Sequence, residues 1–193
     1  MKKVTMLCML AASALAFQAC NESKSDKASE EHAEAATDQA KDMNDSLQTV
    51  DEKDAEFAMK AAGGGMYEVE VAKLAEQKAS NAKVKEFAAM MIKDHGKAND
   101  ELMSLASAKG ITLPATMDED HQKHYNDLKK LSGKDFDKKY VELMKDDHDK
   151  DLSLFNTQAT EGKDAELKEF ATKTSGVVQQ HLNHIKQIKE SMK

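Results

Sequence analysis

The stretch "NAKVKEFAAMMIKDH", residues 81–95, decides the fold because its first half returns later in the chain as "DAELKEFA", residues 164–171. A shift of 83 residues superimposes the two copies. Apolar residues recur on both sides of each copy at helical spacing, and each copy is preceded by a helical stretch of similar length. Two related helical hairpins joined by a longer connection predict an all-α protein, an antiparallel four-helix bundle with a pseudo-two-fold axis.

The remaining helix boundaries follow from local signals. Asn81 and Asp164 are the expected N-caps of the second and fourth bundle helices. Gly110 ends the second, and Pro114 prevents its continuation. A short helix is expected near residues 118–131, in the connection between the hairpins. The first bundle helix, near residues 55–80, contains "GGG" at 63–65, for which we expect a bend or a late start.

Several blocks then follow in a fixed order from residue 54 to 190: "MYEVEVAKLAEQKA", "VKEFAAMMIKDH", "LASAKGITLP", "LSGKDFDKKYVELMKDDH" and "LKEFA". This order resembles a bacterial ferritin-like family that is known as a domain of unknown function and is often labelled an outer-membrane or periplasmic protein. The resemblance implies a ferritin-like four-helix bundle over residues 53–193 and a place in the cell envelope. It implies no established activity.

The N-terminal segment, residues 1–19, is typical of a lipoprotein signal peptide. Two lysines precede an apolar run too short for a comfortable membrane span, and "FQAC" places a small residue before Cys20. We expect Cys20 to carry a lipid and to anchor the protein in the outer membrane, facing the periplasm. The alternative is cleavage after Ala16, which would give a secreted protein. Residues 20–52 contain almost no large apolar residues and are expected to form a disordered tether between lipid and bundle.

The composition excludes several classes of function. The net charge is −7, and all 28 basic residues are lysine, so no arginine is available for bidentate recognition of phosphate or guanine. We therefore expect no nucleic-acid partner. There is no nucleophile elbow, no phosphate-binding glycine loop and no cysteine outside residues 1–20, so we expect no enzymatic activity.

One titratable side chain per bundle helix falls on the apolar stripe: Glu68, His95, His148 and His181. Glu68 and His95 lie at similar distances from the turn at Asn81 and are expected at one level, with His181 about one turn deeper. Such residues form either a hydrogen-bonded polar layer that fixes the register of the bundle, or a metal site. Imidazole suits zinc, copper, iron and nickel.

Four further residues complete the hypothesis. Asp151 and His184 are lesser candidate ligands, and Met91 and Met144 are interpreted as core residues. A di-iron centre of the Glu-x-x-His type is not expected, because Ile92 and Val178 occupy the glutamate positions before His95 and His181. His121 and His124 are expected to be exposed, with a weak surface metal site as the lesser interpretation.

The sequence thus supports two interpretations of function. The first is a structural or partner-binding protein of the envelope, attached to the membrane through its lipid. The second is a metal-binding bundle that holds one transition-metal ion on His95, His148, His181 and Glu68. No cofactor other than this ion is expected.

Overall fold

The computed structural model describes residues 22–192, which form six α-helices and no strand. They are α1 (Glu22–Leu47), α2 (Glu52–Lys78), α3 (Ala82–Lys109), α4 (Glu119–Lys129), α5 (Gly133–Glu161) and α6 (Ala165–Ser191). The predicted all-α fold is confirmed. The signal peptide and the lipidation at Cys20 lie outside the described residues and stay predictions.

The bundle consists of α2, α3, α5 and α6, and its two hairpins are the predicted repeat. Adding 83 to the bounds of α2 and α3 gives residues 135–161 and 165–192, nearly the bounds of α5 and α6. Each hairpin packs along its own length, and α2 also packs on α5 while α3 packs on α6. The predicted caps are confirmed, since the side chains of Asn81 and Asp164 accept hydrogen bonds from backbone N–H groups in the first turns of α3 and α6. Gly110 ends α3 in the left-handed conformation with φ 68°.

Two aspartates related by the repeat fasten the hairpins to each other. Asp137 on α5 accepts hydrogen bonds from the backbone N–H groups of Ser80 and Asn81, in the turn between α2 and α3. Its repeat mate, Asp54 on α2, accepts from the N–H groups of Lys163 and Asp164, in the turn between α5 and α6. Both aspartates are buried. Each hairpin therefore caps the turn of the other with a carboxylate, as a pseudo-two-fold axis requires.

The core consists of two apolar clusters at opposite ends of the bundle. One combines the end of α2 and the start of α3 with the start of α5 and the end of α6, around Phe87, Tyr140 and Ile185. The other combines the start of α2 and the end of α3 with the opposite halves of α5 and α6, around Phe57 and Phe170. Four buried polar side chains, Glu68, His95, His148 and His181, lie between these clusters, at the middle of the four helices.

The expected disordered tether is wrong for most of its length, because residues 22–47 form α1. This helix packs on α4 and α2 with almost no large side chains. Its contacts use small buried residues, Ala33 and Ala40, and paired hydrogen bonds between the Asn44 side chain and the backbone of Thr112 (2.7 and 2.9 Å). The sequence contains few large apolar residues in this segment, so its composition could not reveal that α1 packs on the bundle. The packing depends on small residues that let the helices approach closely and on specific polar contacts.

The glycines at 63–65 do not delay the start of α2, which runs as one helix from Glu52 to Lys78. All three are buried. A methyl group on Gly65 would overlap the side chain of Asn99 on α3, so this glycine permits close packing of the first hairpin. Among residues 22–192, no helix is long and apolar enough to cross a membrane.

Candidate metal centre

Three histidines from three helices meet at the centre of the bundle. His95 on α3, His148 on α5 and His181 on α6 have 6%, 0% and 1% of their surface exposed. Their ring centroids lie 5.1 to 5.6 Å apart, and one nitrogen from each ring can be chosen so that all three lie within 4.8 Å of one another. The structure thus brings together the three histidines that the sequence placed on the apolar stripes.

His181 is not one turn deeper than the other two, as the sequence predicted. Its Nδ1 lies 3.1 Å from Nε2 of His95. The Cα–Cβ bonds of a helix tilt toward its N-terminus. Because α3 and α6 run antiparallel, the side chains of His95 and His181 lean toward each other and close the offset between their backbones.

In His95 and His181, a carboxylate oxygen lies next to the ring nitrogen that points away from the cluster. Glu68 on α2, which is 2% exposed, places Oε2 2.6 Å from Nδ1 of His95. Asp94 on α3 places Oδ2 3.2 Å from Nε2 of His181. Carboxylates in this position orient metal-binding histidines and raise their basicity. Asp94 was not among the predicted site residues, although the repeated Asp-His dipeptides at 94–95 and 147–148 pointed to these aspartates.

The chain Glu68–His95–His181–Asp94 contains three polar contacts, and each needs one proton or a cation between its two atoms. Burial lowers the pKa of His95 to about 4, and burial together with the neighbouring His95 lowers the pKa of His181 to about 4. Both rings are therefore neutral at pH 7, with one proton each. The third contact is filled either by a proton on Glu68, whose pKa burial raises to about 8, or by a cation between the two rings.

A metal ion fits between the facing nitrogens. With metal–nitrogen bonds of about 2.0–2.1 Å, two ligand nitrogens lie about 2.9 Å apart at a right angle and about 3.4 Å apart at a tetrahedral angle. The 3.1 Å between Nε2 of His95 and Nδ1 of His181 lies in this range.

His148 is the ring that a polar layer alone does not explain. The ring is fully buried, and neither of its nitrogens has a hydrogen bond of normal geometry. The backbone carbonyl oxygen of Met144 makes a weak polar interaction with the ring. Its Nδ1 lies 3.2 Å from Oε1 of Glu68, in an orientation that does not form a hydrogen bond. Burial and the two neighbouring histidines push the pKa of His148 well below its usual value, so the ring is neutral. The ring nitrogen that lacks a proton carries a lone pair, and leaving that lone pair without a partner in the core costs about 1–3 kcal/mol unless a ligand uses it.

The lesser candidate ligands, Asp151 and His184, differ in whether they belong to a possible ligand group. Asp151 is half-buried one turn after His148, and with Glu68 and His148 it forms a second group whose ligand atoms lie within 4.8 Å of one another. His184 is half-buried against the Phe87 ring, 5.6 Å away, and belongs to neither group. Met91 and Met144 are buried in the apolar cluster, as expected of core residues.

His121 and His124 are not exposed, contrary to expectation. Helix α4 lies across α2, so that the ring of His121 stacks on Tyr67 at 4.5 Å and its Nδ1 lies 2.8 Å from Oδ2 of Asp118. Both histidines are half-buried in the wall of a cavity next to the centre. Among the described residues, neither belongs to a three-ligand group.

Comparison with known proteins agrees with the fold. A DUF305 fragment from Deinococcus radiodurans is 9% identical, with a TM-score of 0.65 over 74% of this chain and 98% of that one. A protein from Streptomyces coelicolor, named "putative secreted protein DUF305", is 13% identical, with a TM-score of 0.62 over 72% and 93% of the two chains. No curated protein matches the sequence.

Residues 39–188 match the family described as "Domain of unknown function (DUF4142)". This match begins inside α1, covers α2, α3 and α5 completely and α6 up to residue 188, and includes the complete candidate centre. The chain belongs to the DUF4142 family.

Proposed function

We propose that this chain is a metal-binding helical bundle of the cell envelope that holds one transition-metal ion on His95, His148 and His181. Glu68 and Asp94 would orient two of these ligands from behind. The observation that carries the proposal is His148, a fully buried ring whose nitrogens make no hydrogen bond of normal geometry and which lies against two neutral imidazoles. A coordinated ion would bind the lone pair of His148 and would also lie between the facing nitrogens of His95 and His181.

The ligand set favours a borderline ion. Three neutral imidazoles suit zinc, copper, iron or nickel, whereas magnesium and calcium prefer oxygen ligands. Three protein ligands leave a further coordination position open. Glu68 and Asp151 form a separate group with His148, outside the three-histidine group. The proposed role is binding and not catalysis.

Location outside the cytoplasm is part of the proposal. The lipoprotein-like N-terminus supports a membrane anchor at Cys20, and the secreted description of the Streptomyces coelicolor protein is consistent with export. The partner-binding role stays a prediction. The large hydrophobic side chains exposed among residues 22–192 are Met43, Leu47 and Met103, and they carry no argument for a docking surface.

The decisive measurement is metal content and titration of the purified, tag-free protein with Zn²⁺, Cu⁺, Cu²⁺ and Fe²⁺. We expect one equivalent to bind, and binding to be lost in the triple variant His95→Ala, His148→Ala, His181→Ala. The matched control is His184→Ala, because His184 is half-buried beside the same Phe87 ring but lies outside the ligand group.

Folding of the triple variant is checked by far-UV circular dichroism, with His→Gln substitutions at the same positions as a milder alternative. If wild-type protein binds no more metal than a folded triple variant, the centre is a polar layer and the proposal is wrong.

A further inference from the structure

A cavity of about 360 Å³ opens between α2, α4 and α5, beside the three histidines. Gly64, Tyr67 and Glu68 line it from α2, His121 and His124 from α4, and Asp147 and Asp151 from α5. Gly64 leaves one wall open, since a Cβ there would lie 3.9 Å from Oδ1 of Asp151 and 4.0 Å from Cε1 of His121. The absence of a side chain at this position therefore helps to form the cavity.

Two deeply buried polar groups at this cavity lack a hydrogen bond of normal geometry. They are the hydroxyl of Tyr67, a residue that is 0% exposed, and Oδ2 of Asp147, which is 5% exposed. The two side chains interact with each other, but neither has a partner in another part of the chain that meets this geometry. Nδ1 of the half-buried His124 also lacks such a hydrogen bond. The other oxygen of Asp147 lies 3.6 Å from the ammonium of Lys150, an exposed side chain that gives little compensation. Buried polar atoms without partners are rare, and together they indicate a ligand or bound water.

The cavity reaches the candidate centre through a single side chain. Glu68 lines the cavity and also places its two carboxyl oxygens 2.6 Å from His95 and 3.2 Å from His148. Asp151 lines the same wall and shares a potential ligand group with Glu68 and His148. An ion in the cavity would therefore lie next to the imidazoles, with only the Glu68 carboxyl group between them.

The charge of the walls selects the ligand. Five carboxyl groups line the cavity, against Lys60, Lys150 and the ring of His121, whose pKa the neighbouring Asp118 raises despite burial. Burial raises the pKa of Glu68 and Asp151, so these two carry less of the negative charge than the other three carboxyl groups. The neutral ring of His124 offers a lone pair. Among the described residues, the ligand atoms of Asp147 and His124 do not belong to a three-ligand group tight enough for a bare ion. The wider spacing and the volume fit an ion that keeps its water shell, because waters bridge polar groups that are too far apart for direct contact.

We propose that this cavity binds a hydrated divalent cation and delivers it past Glu68 to the three-histidine cluster. The inference rests on the proposed metal-binding function and adds to it an access route with its own ligand groups. Asp147 supplies the attracting charge, and the Tyr67 hydroxyl and Nδ1 of His124 hold the water shell. Carboxyl oxygens of Glu68 and Asp151 then replace waters of that shell as the ion moves toward the histidines.

The test follows Co²⁺ binding by stopped-flow absorbance, because the visible spectrum of Co²⁺ changes when imidazoles replace water. Asp147→Asn keeps the shape of the side chain and removes its charge. We expect binding about ten-fold slower than in the wild type, with the same final spectrum. The matched control is Asp149→Asn, on the same helix and with the same change in charge, because the Asp149 carboxylate is exposed and paired with Lys145 and Lys186.

A steric pair tests the same route without a change in charge. Gly64→Ala adds a methyl group that fits, whereas Gly64→Leu extends into the cavity. We expect the alanine variant to bind Co²⁺ at the wild-type rate and the leucine variant to bind it at least ten-fold more slowly. Circular dichroism and thermal melting establish that each variant is folded.

The outcomes separate the two proposals. Unchanged rates in both Asp147→Asn and Gly64→Leu would overturn the access route, while a Co²⁺ spectrum abolished by the triple histidine variant would still support the metal centre. Loss of the final spectrum in Asp147→Asn would make Asp147 a ligand and would also overturn the route. A wild-type protein without a histidine-dependent Co²⁺ spectrum would overturn the route, whereas the metal centre is decided separately by the titration with Zn²⁺, Cu⁺, Cu²⁺ and Fe²⁺.

Discussion

Glu68→Gln should change how the stability of the metal-free protein depends on pH. Glu68 is buried at the centre of the bundle, and burial, with the charge of Asp147 as a smaller cause, raises its pKa from 4.5 to about 8. Between these values the folded protein keeps a proton that the unfolded chain has released. By linkage, the free energy of unfolding falls as pH rises through this window.

The effect of Glu68 on the free energy of unfolding is clearest between pH 6.5 and 8. Below pH 6.5 the buried histidines act in the opposite direction, because the unfolded chain protonates them while the folded protein, with the pKa values of His95 and His181 near 4, does not. Between pH 6.5 and about 7.5 the histidines of the unfolded chain still lose protons, but this contribution is the same in the wild type and in Glu68→Gln and cancels when the two proteins are compared. At 1.36 kcal/mol per pH unit, Glu68 should lower the free energy of unfolding by about 2 kcal/mol over these 1.5 units.

Glutamine has the same shape, and its amide can donate to Nδ1 of His95 as the protonated carboxyl group does, but it does not titrate. The assay is urea unfolding of the metal-free protein at pH 6.5, 7.2 and 8.0, monitored by circular dichroism. We expect the free energy of unfolding of the wild type to fall by about 2 kcal/mol more over this range than that of the Glu68→Gln variant. Parallel slopes for the two proteins would show that Glu68 is ionised in the folded state and would refute the reasoning.

Two further predictions concern the ion and the scaffold. Below pH 8 the proton on Glu68 must leave before its carboxylate can support a metal-bound His95, so metal binding should release about one proton and tighten up to about ten-fold per pH unit. Calorimetry in buffers of different ionisation enthalpy measures this proton, and an uptake or a zero value would contradict it. Asp137→Ala should lower the free energy of unfolding by about 3 kcal/mol, because it leaves the N–H groups of Ser80 and Asn81 without their carboxylate. Asp54→Ala should cost a similar amount at the other end, and a double variant in urea should show additive losses; a strongly non-additive result would mean that the two sites are coupled.

Some of the candidate site could be predicted from sequence because helical periodicity assigns a residue to a face. Glu68, His95 and His148 each lie on an apolar stripe, and the repeat places their helices in one bundle. The level of the His181 ring was missed because counting residues places only the backbone, whereas the side chains of two antiparallel helices lean in opposite directions along the bundle. Asp94 was missed because it lies beside the stripe of its own helix and acts on a ring that belongs to another.

The mistakes outside the core share a cause. α1 was expected to be disordered and His121 to be exposed, since both segments are polar. Each is held by a few specific contacts, such as the pair of hydrogen bonds between Asn44 and Thr112 and the stacking of His121 on Tyr67. Composition measures the average burial of a segment, and such contacts use only a small part of its surface.

The sequence by itself determined the helical class, the two-hairpin repeat and the helix that carries each buried titratable group. These properties follow from periodicity along one chain, because a helix turns its side chains through fixed angles. The tertiary structure alone decided that Nε2 of His95 faces Nδ1 of His181, that the nitrogens of His148 make no hydrogen bond of normal geometry and that a cavity reaches Glu68. Those facts depend on ångström-scale distances between residues up to 113 positions apart, from Glu68 to His181, which only the packing of the helices fixes.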